Sequence, residues 1–305
     1  MNVLVTGASG WIGTAVVGEL LDHGHQVCGL ARSDAAARRV EAQGAEAVRG
    51  DLTETDELAR LAAASDGVVH LAFQHDVAWR GNFADAARAD RRAVEALGGA
   101  LAGSGRPLVL ASGVMGLAPG RIATEQDGLV PLTAIRENPA GYRAATALYA
   151  LSLRGLDVRS SVMRLPPTVH GQGDHGFVAT LVDVARRRGV SGYVGDGTNR
   201  WTATHRSDVA TLTRQALEDA PAGEVLHAVA EEGVAFRDVA EAIGRQLNVP
   251  TVSLSPQQAL EHFAHLGTFV GLDSPASSAA TRALLDWAPT GPTLIEDLDA
   301  GRYTA

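Results

Sequence analysis

The stretch NVLVTGASGWIG, residues 2–13, constrains the fold more than any other. A short apolar run leads into three glycines, Gly7, Gly10 and Gly13. A stripe of Ile12, Val16 and Leu20 at four-residue spacing follows, with Val17 and Leu21 alongside. This is the pattern of a strand, a tight turn and an amphipathic helix, and Gly24 stands where such a helix should stop. The first glycine permits the turn, the second lets a pyrophosphate approach the backbone, and the third lets helix and strand pack closely. The helix N-terminus then faces the phosphates. A glycine trio alone is a weak signal, but its place between a strand and an amphipathic helix predicts a dinucleotide site built by Gly7, Ser9, Gly10, Trp11, Ile12 and Gly13.

The alternation continues along the chain. Apolar runs at 26–31, 45–50, 67–72, 107–112 and 157–165 are separated by helical stretches at 34–43, 54–64, 79–103 and 140–154. Strand and helix in regular succession predict an α/β fold, a Rossmann-type doubly wound parallel sheet covered on both faces. After Leu165 the Gly/Pro-rich loops PPTVHGQGDHG and GYVGDGTNR flank a helix near 177–188. Helices near 208–219, 235–247, 255–265 and 276–286, with a strand at 224–230, follow. The expected organisation is a dinucleotide-binding domain at 1–165 and a smaller substrate lobe over most of 166–305, with segments near 200–230 returning to the first domain. Such a lobe would close over the carboxyl ends of the strands, where open α/β sheets bind ligands.

A net charge of −9 and a pI near 5.5 repel nucleic-acid phosphate and anionic lipid. The expected partner is a small-molecule substrate, with neither nucleic acid nor membrane. No apolar stretch reaches the ~20 residues that span a bilayer, and the chain enters its first strand with no cleavable leader ahead of it, so a cytoplasmic location is expected. The single cysteine, Cys28, excludes an internal disulfide and a thiolate zinc cluster, and should be a small core residue. All 26 basic residues are arginine, which removes a Walker lysine, a Schiff-base lysine and a lysine base. Histidines pair in sequence at 23 and 25, 70 and 75, 170 and 175, and 262 and 265. No carboxylate set completes a site around them, so no metal is expected.

The second strand ends GLARSD, with Ala31, Arg32 and Ser33 where an acidic side chain would accept from a ribose 2′-hydroxyl. A guanidinium and a hydroxyl favour a 2′-phosphate, hence NADP(H) over NAD(H). Asp51 and Leu52, past the third strand, are placed to meet the adenine edge, and Asp51 suits a helix cap equally well. Leu71 and Ala72 close the fourth strand beside the cofactor.

The glycine pattern, GDL at 50–52, HLA at 70–72, Ser112 after the fifth strand, Tyr142 on the next helix and RLPPTVHG at 164–171 together resemble the short-chain dehydrogenase/reductase superfamily. HRSDVA at 205–210 and LLDWAPT at 284–290 are similar to its extended branch, the NAD-dependent epimerase/dehydratase type. The resemblance covers nearly the whole chain, and it is more specific in the cofactor half. It implies a serine that hydrogen-bonds the substrate oxygen, a tyrosine that transfers the proton and touches the cofactor, and a lysine four residues on. Ser112 and Tyr142 match. Thr146 stands where the lysine would, on the same helix face, able to reach a ribose hydroxyl through water but carrying no charge. The resemblance also implies that Pro167 and Thr168 approach the nicotinamide, that Gly113 and Val114 border the substrate, and that the protein forms a homodimer. His75 and His175 fall in loops that would flank the cleft as polar substrate contacts. Asp208 should cap the helix that follows HRS.

A free tyrosine has a pKa near ~10, so without a lysine beside it the phenol keeps its proton at neutral pH. Such a group suits donation to a carbonyl or imine as hydride arrives, and suits alcohol oxidation poorly. The expectation is an NADP(H)-dependent oxidoreductase reducing a C=O or C=N bond of a small organic substrate. Two alternatives stand beside it. One is an NAD-dependent sugar-nucleotide epimerase or dehydratase. The other is an NADP(H)-binding sensor or scaffold in which Tyr142 only packs.

Overall fold

The computed structural model describes residues 1–130 and 139–303. In β1 (Asn2–Thr6), Val3 and Val5 enter one apolar cluster and Leu4 another, all fully buried. Successive side chains leave a strand on opposite faces, so β1 has helices on both sides of it, as a central parallel strand requires.

The chain then runs through α1 (Trp11–Asp22), β2 (Gln26–Ala31), α2 (Asp34–Glu41), β3 (Glu46–Arg49), α3 (Thr55–Ala63) and β4 (Gly67–His70). A short α4 (His75–Val77) and a π-helical turn at 78–82 precede α5 (Phe83–Leu101), β5 (Pro107–Gly113), α6 (Pro139–Ser152) and β6 (Arg159–Leu165). The second half supplies β7 (Thr168–His170), α7 (Phe177–Arg188), β8 (Ser191–Val194), β9 (Arg200–His205) and α8 (Arg206–Asp219). It continues with β10 (Glu224–His227), β11 (Glu231–Ala235), α9 (Phe236–Leu247), β12 (Thr251–Leu254), α10 (Pro256–Phe263), α11 (Ala279–Leu285) and α12 (Leu294–Asp299).

Seven parallel strands form the main sheet in the order β10-β6-β5-β4-β1-β2-β3. Helices α1 and α8 cover one face through Val16, Val17, Leu20, Val209, Leu212 and Leu217. On the other face α3 and α5 contribute Leu58, Leu61, Leu97 and Leu101. Cys28 packs at the edge of that second cluster, where burial pushes its thiol up to about 11. The strand order reverses between β1 and β4, and the crevice of a doubly wound sheet opens at that switch point.

The smaller lobe has its own core around Trp201, Phe236, Phe263 and Leu294, beside a three-stranded sheet β11-β9-β7 and the pair β12-β8. The strand expected at 224–230 is β10, and it pairs with β6 as the edge of the large sheet. The helix expected over 79–103 is broken at its start, because Gly81 takes φ 90 and a helix cannot run through a left-handed residue. Among the described residues no helix is long and apolar enough to cross a membrane.

Candidate functional site

A cavity of about 1120 Å³ opens at the carboxyl ends of the main-sheet strands, between the glycine turn and the loop leading into α7. Its floor is the turn itself. Gly7 has φ +71, and a Cβ there would lie 2.9 Å from the Ala72 nitrogen. At Gly13 a Cβ would lie 2.0 Å from the Gly7 carbonyl oxygen, so a side chain is excluded. Gly10 caps α1 with no side-chain hydrogen bond, which leaves the first-turn N–H groups open to the cavity. These features fit the pyrophosphate of a dinucleotide. Ser9, Trp11 and Ile12 line the same floor, and Leu71, Ala72, Pro167 and Thr168 line its sides. The Trp11 indole donates to the Val169 carbonyl at 2.9 Å. The Arg206 guanidinium lies over its ring at 4.3 Å, and His175 meets the ring edge-on at 5.9 Å.

At the other end the cavity is lined by Arg32, Ser33, Arg39, Asp51 and Leu52. Arg32 reaches across to Asp76 at 3.3 Å. Arg39 was not expected from the sequence; it is three residues past Ala36 on α2, and i, i+3 spacing turns both toward the cavity. Asp51 does not cap α3, which begins at Thr55 after Glu54 with no side-chain cap bond; it makes a local turn instead. Its carboxylate accepts from the Thr53 nitrogen and hydroxyl while the residue also borders the cavity.

Beneath the cavity runs a buried polar chain. The Thr6 hydroxyl meets His70 Nδ1 at 2.8 Å, and His70 Nε2 meets Asp90 Oδ1 at 3.3 Å. Arg143 donates to Asp90 Oδ2 at 2.7 Å and to the Ala111 carbonyl at 2.8 Å. Burial pushes the Asp90 carboxyl up, but the Arg143 charge and the bond from His70 outweigh it, so the group stays below the usual carboxylate range. The same guanidinium lies 4.5 Å from the centre of the Phe73 ring, on the cavity wall. His75 is on that wall too, and burial, then repulsion from Arg143, keep its ring neutral to lower pH than usual.

Arg143 thus fastens α6 to the end of β5, and the neighbours of that contact are Tyr142 on one element and Ser112 on the other. Neither lines the cavity, nor do Gly113, Val114 and Thr146. Phe73, packed on Arg143, stands between the cavity and α6. Val114 is fully buried with Ala123, Val229 and Ala276. Thr146 is 2% exposed and donates its hydroxyl to the Tyr142 carbonyl at 3.3 Å, a bond within its own helix.

The two loop histidines, His75 and His175, do reach the cavity. His170 instead lies beneath the lobe with Nδ1 at 2.7 Å from Asp297, and His25 meets Glu218 at 2.8 Å. The side chain of His265 lies outside the described residues. Asp208 does not cap α8, whose N-terminal cap is the His205 side chain. Its carboxylate accepts from the Thr290 and Gly291 nitrogens, because α8 begins two residues earlier than the sequence pattern suggests. The cavity's far wall is secured from the C-terminal segment. The Tyr303 hydroxyl accepts from the Gly171 nitrogen and donates to Asp174, a lining residue whose carboxyl is pushed up by burial.

Comparison with known proteins agrees with the fold. The model of the NAD dependent epimerase/dehydratase family matches residues 3–229. An uncharacterized protein of Saccharomyces cerevisiae is 44% identical, with 98% of each chain covered. A Stigmatella aurantiaca protein named 4-hydroxy-2-methyl-3-oxo-4-farnesyl-3,4-dihydroquinoline-1-oxide ketoreductase is 29% identical over 88% of this chain and 80% of its own. Among solved structures, the UDP-glucose 4-epimerase of Thermotoga maritima superposes with a TM-score of 0.79 at 19% identity, covering 99% of this chain and 97% of the other. At that identity the likeness is one of fold.

Proposed function

The chain belongs to the NAD-dependent epimerase/dehydratase family, and from that premise we propose that it is an NADP(H)-dependent oxidoreductase reducing a C=O or C=N bond of a small organic substrate. The observation that carries the cofactor choice is the adenine end of the cavity, where Arg32, Ser33 and Arg39 gather after β2. Two guanidiniums and a hydroxyl suit the dianionic 2′-phosphate, and a ribose hydroxyl gives them nothing comparable to pair with. The reductive direction is supported by the ketoreductase named among the relatives and by the threonine at position 146.

Bound NADPH would supply the hydride. The chain's own part is to hold the pyrophosphate on the glycine turn, to close one side of the cleft with Pro167 and Thr168, and to deliver a proton. In this reading Ser112 polarises the acceptor and Tyr142 gives the proton, while the charge of Arg143 is already answered by Asp90. A second reading, binding without turnover, is favoured by the position of Phe73 between the cavity and α6.

Two measurements decide. Fluorescence titration is expected to give NADPH an affinity at least tenfold above NADH, a preference that Arg32→Ala abolishes; equal affinities would remove the cofactor assignment. NADPH consumption across a panel of small ketones, aldehydes and imines is expected to fall on the order of a hundredfold or more in Tyr142→Phe. An unchanged rate in that variant would place the proton donor elsewhere in the cleft. Tight binding with no consumption across the panel would establish the second reading.

A further inference from the structure

Arg206, the first residue of α8, is a half-buried cation on the cavity wall. Three physical costs meet there. Burial weakens its hold on its proton. It sits at the N-terminal end of a helix, where the aligned peptide dipoles disfavour positive charge. Among the described residues no carboxylate, carbonyl or hydroxyl accepts a bond from its guanidinium. The comparison with other half-buried arginines is direct. Arg143 has Asp90 and the Ala111 carbonyl, Arg159 has the Ala220 and Leu217 carbonyls, and Arg214 has Glu19 and Glu218. Arg206 has only the face of the Trp11 ring, 4.3 Å away. Its stem runs close past Gly171, where a Cβ would come within 3.3 Å of its Cγ and Cδ.

A half-buried guanidinium without a counter-charge gains from a ligand that brings one. The second observation concerns where this cation is held. Trp11 is the first residue of α1, whose uncapped N-terminal amides open into the same cavity. Two anion-seeking elements therefore meet at one residue, one from the main sheet and one from α8.

We propose that Arg206 holds the pyrophosphate of the dinucleotide from the side opposite the glycine turn, with Trp11 fixing the plane of the guanidinium. The inference rests on the cofactor reading above. It makes α8 part of the cofactor site, and it separates two arginine functions: Arg32 reads the 2′-phosphate, whereas Arg206 binds what NADPH and NADH share. An oxyanion carried by the substrate would have the same chemistry, and the test distinguishes the two sources.

The full chain, as Arg206→Gln and as Arg206→Lys, is titrated with NADPH, NADH and adenosine 2′-monophosphate. Arg206→Gln is expected to weaken NADPH and NADH by the same factor, about tenfold, which is the size of one lost charge-assisted contact. The 2′-monophosphate lacks a pyrophosphate and should bind as it does to the parent. Arg206→Lys should recover affinity to within about threefold. The ligand-free melting temperature should change little, since the side chain loses only the Trp11 ring. Unchanged dinucleotide affinities in Arg206→Gln would overturn the proposal and assign the cation to the substrate's anion. Equal weakening of the 2′-monophosphate would overturn it in favour of a packing role. Parent protein that binds neither dinucleotide defeats the cofactor reading and this inference with it.

Discussion

Arg32 and Asp76 face each other across the adenine end with 62% and 42% of their side chains exposed. A solvated pair of this kind contributes at most about 1 kcal/mol, so it yields readily to a phosphate but still competes with one. In the proposed NADP(H) reading Asp76 is an internal rival for the 2′-phosphate. Asp76→Asn is expected to tighten NADPH by about two- to fivefold and leave NADH unchanged. Titration of both nucleotides checks it, and parallel gains for the two would mean that Asp76 shapes the loop and does not compete for Arg32. The sequence makes Arg32 legible because it follows β2 directly. Asp76 is 44 residues away, and only the placement of β2 and β4 on either side of β1 brings the loops after them opposite each other. Thr146 shows a related limit: the family resemblance implies a lysine at its position, but does not show that the threonine hydroxyl turns back to its own helix.

Among the elements, the chain from Thr6 through His70 and Asp90 to Arg143 binds β1, β4, α5, α6 and the end of β5 into one unit. Removing one partner strands a charge where Asp90 is only 1% exposed, so Asp90→Ala is expected to cost about 3–5 kcal/mol in denaturant unfolding. The sign with pH follows from the depressed carboxyl. Its stabilisation is complete above the unfolded value of ~3.9 and is lost as pH falls through the lower folded value. Acid unfolding followed by circular dichroism should lose part of its steepness in Asp90→Asn; an identical acid limb would show that the chain contributes no such linkage. The inner strands β1, β2, β4 and β5 are legible because each centres on an apolar run. The strands β7, β8 and β12 are not, being three or four residues long within Gly/Pro-rich sequence that carries no periodicity. The buried chain itself was invisible, since its four members come from distant positions and each alone resembles a solvated or capping residue.

For the whole molecule, five histidines, at 75, 170, 205, 227 and 262, are held below the usual imidazole value, in each case chiefly by burial. His227 shows why the neutral ring is favoured. One nitrogen faces the Ser277 carbonyl at 2.8 Å and the other faces Arg164 at 3.2 Å, so a second ring proton would point at a cation. With folded values below the unfolded ~6.5, the unfolded chain takes up protons that the native state refuses. Stability is therefore complete above about pH 6.5 and declines as pH falls below it, and melting temperature should drop between pH 7.5 and 5.5. A flat profile over that range would contradict the burial of these rings.

The placement of β10 at the rim of the large sheet, next to β6, has a consequence for synthesis. A nascent chain leaving the ribosome completes β6 at Leu165 but does not supply its outer neighbour until residues 224–227 emerge. For that interval the main-chain groups of β6 are bare on one side, a template for the strand of another molecule. Chains that stall or are cut in the interval keep that margin, whereas translation past β10 exchanges a bare edge of seven residues for one of four.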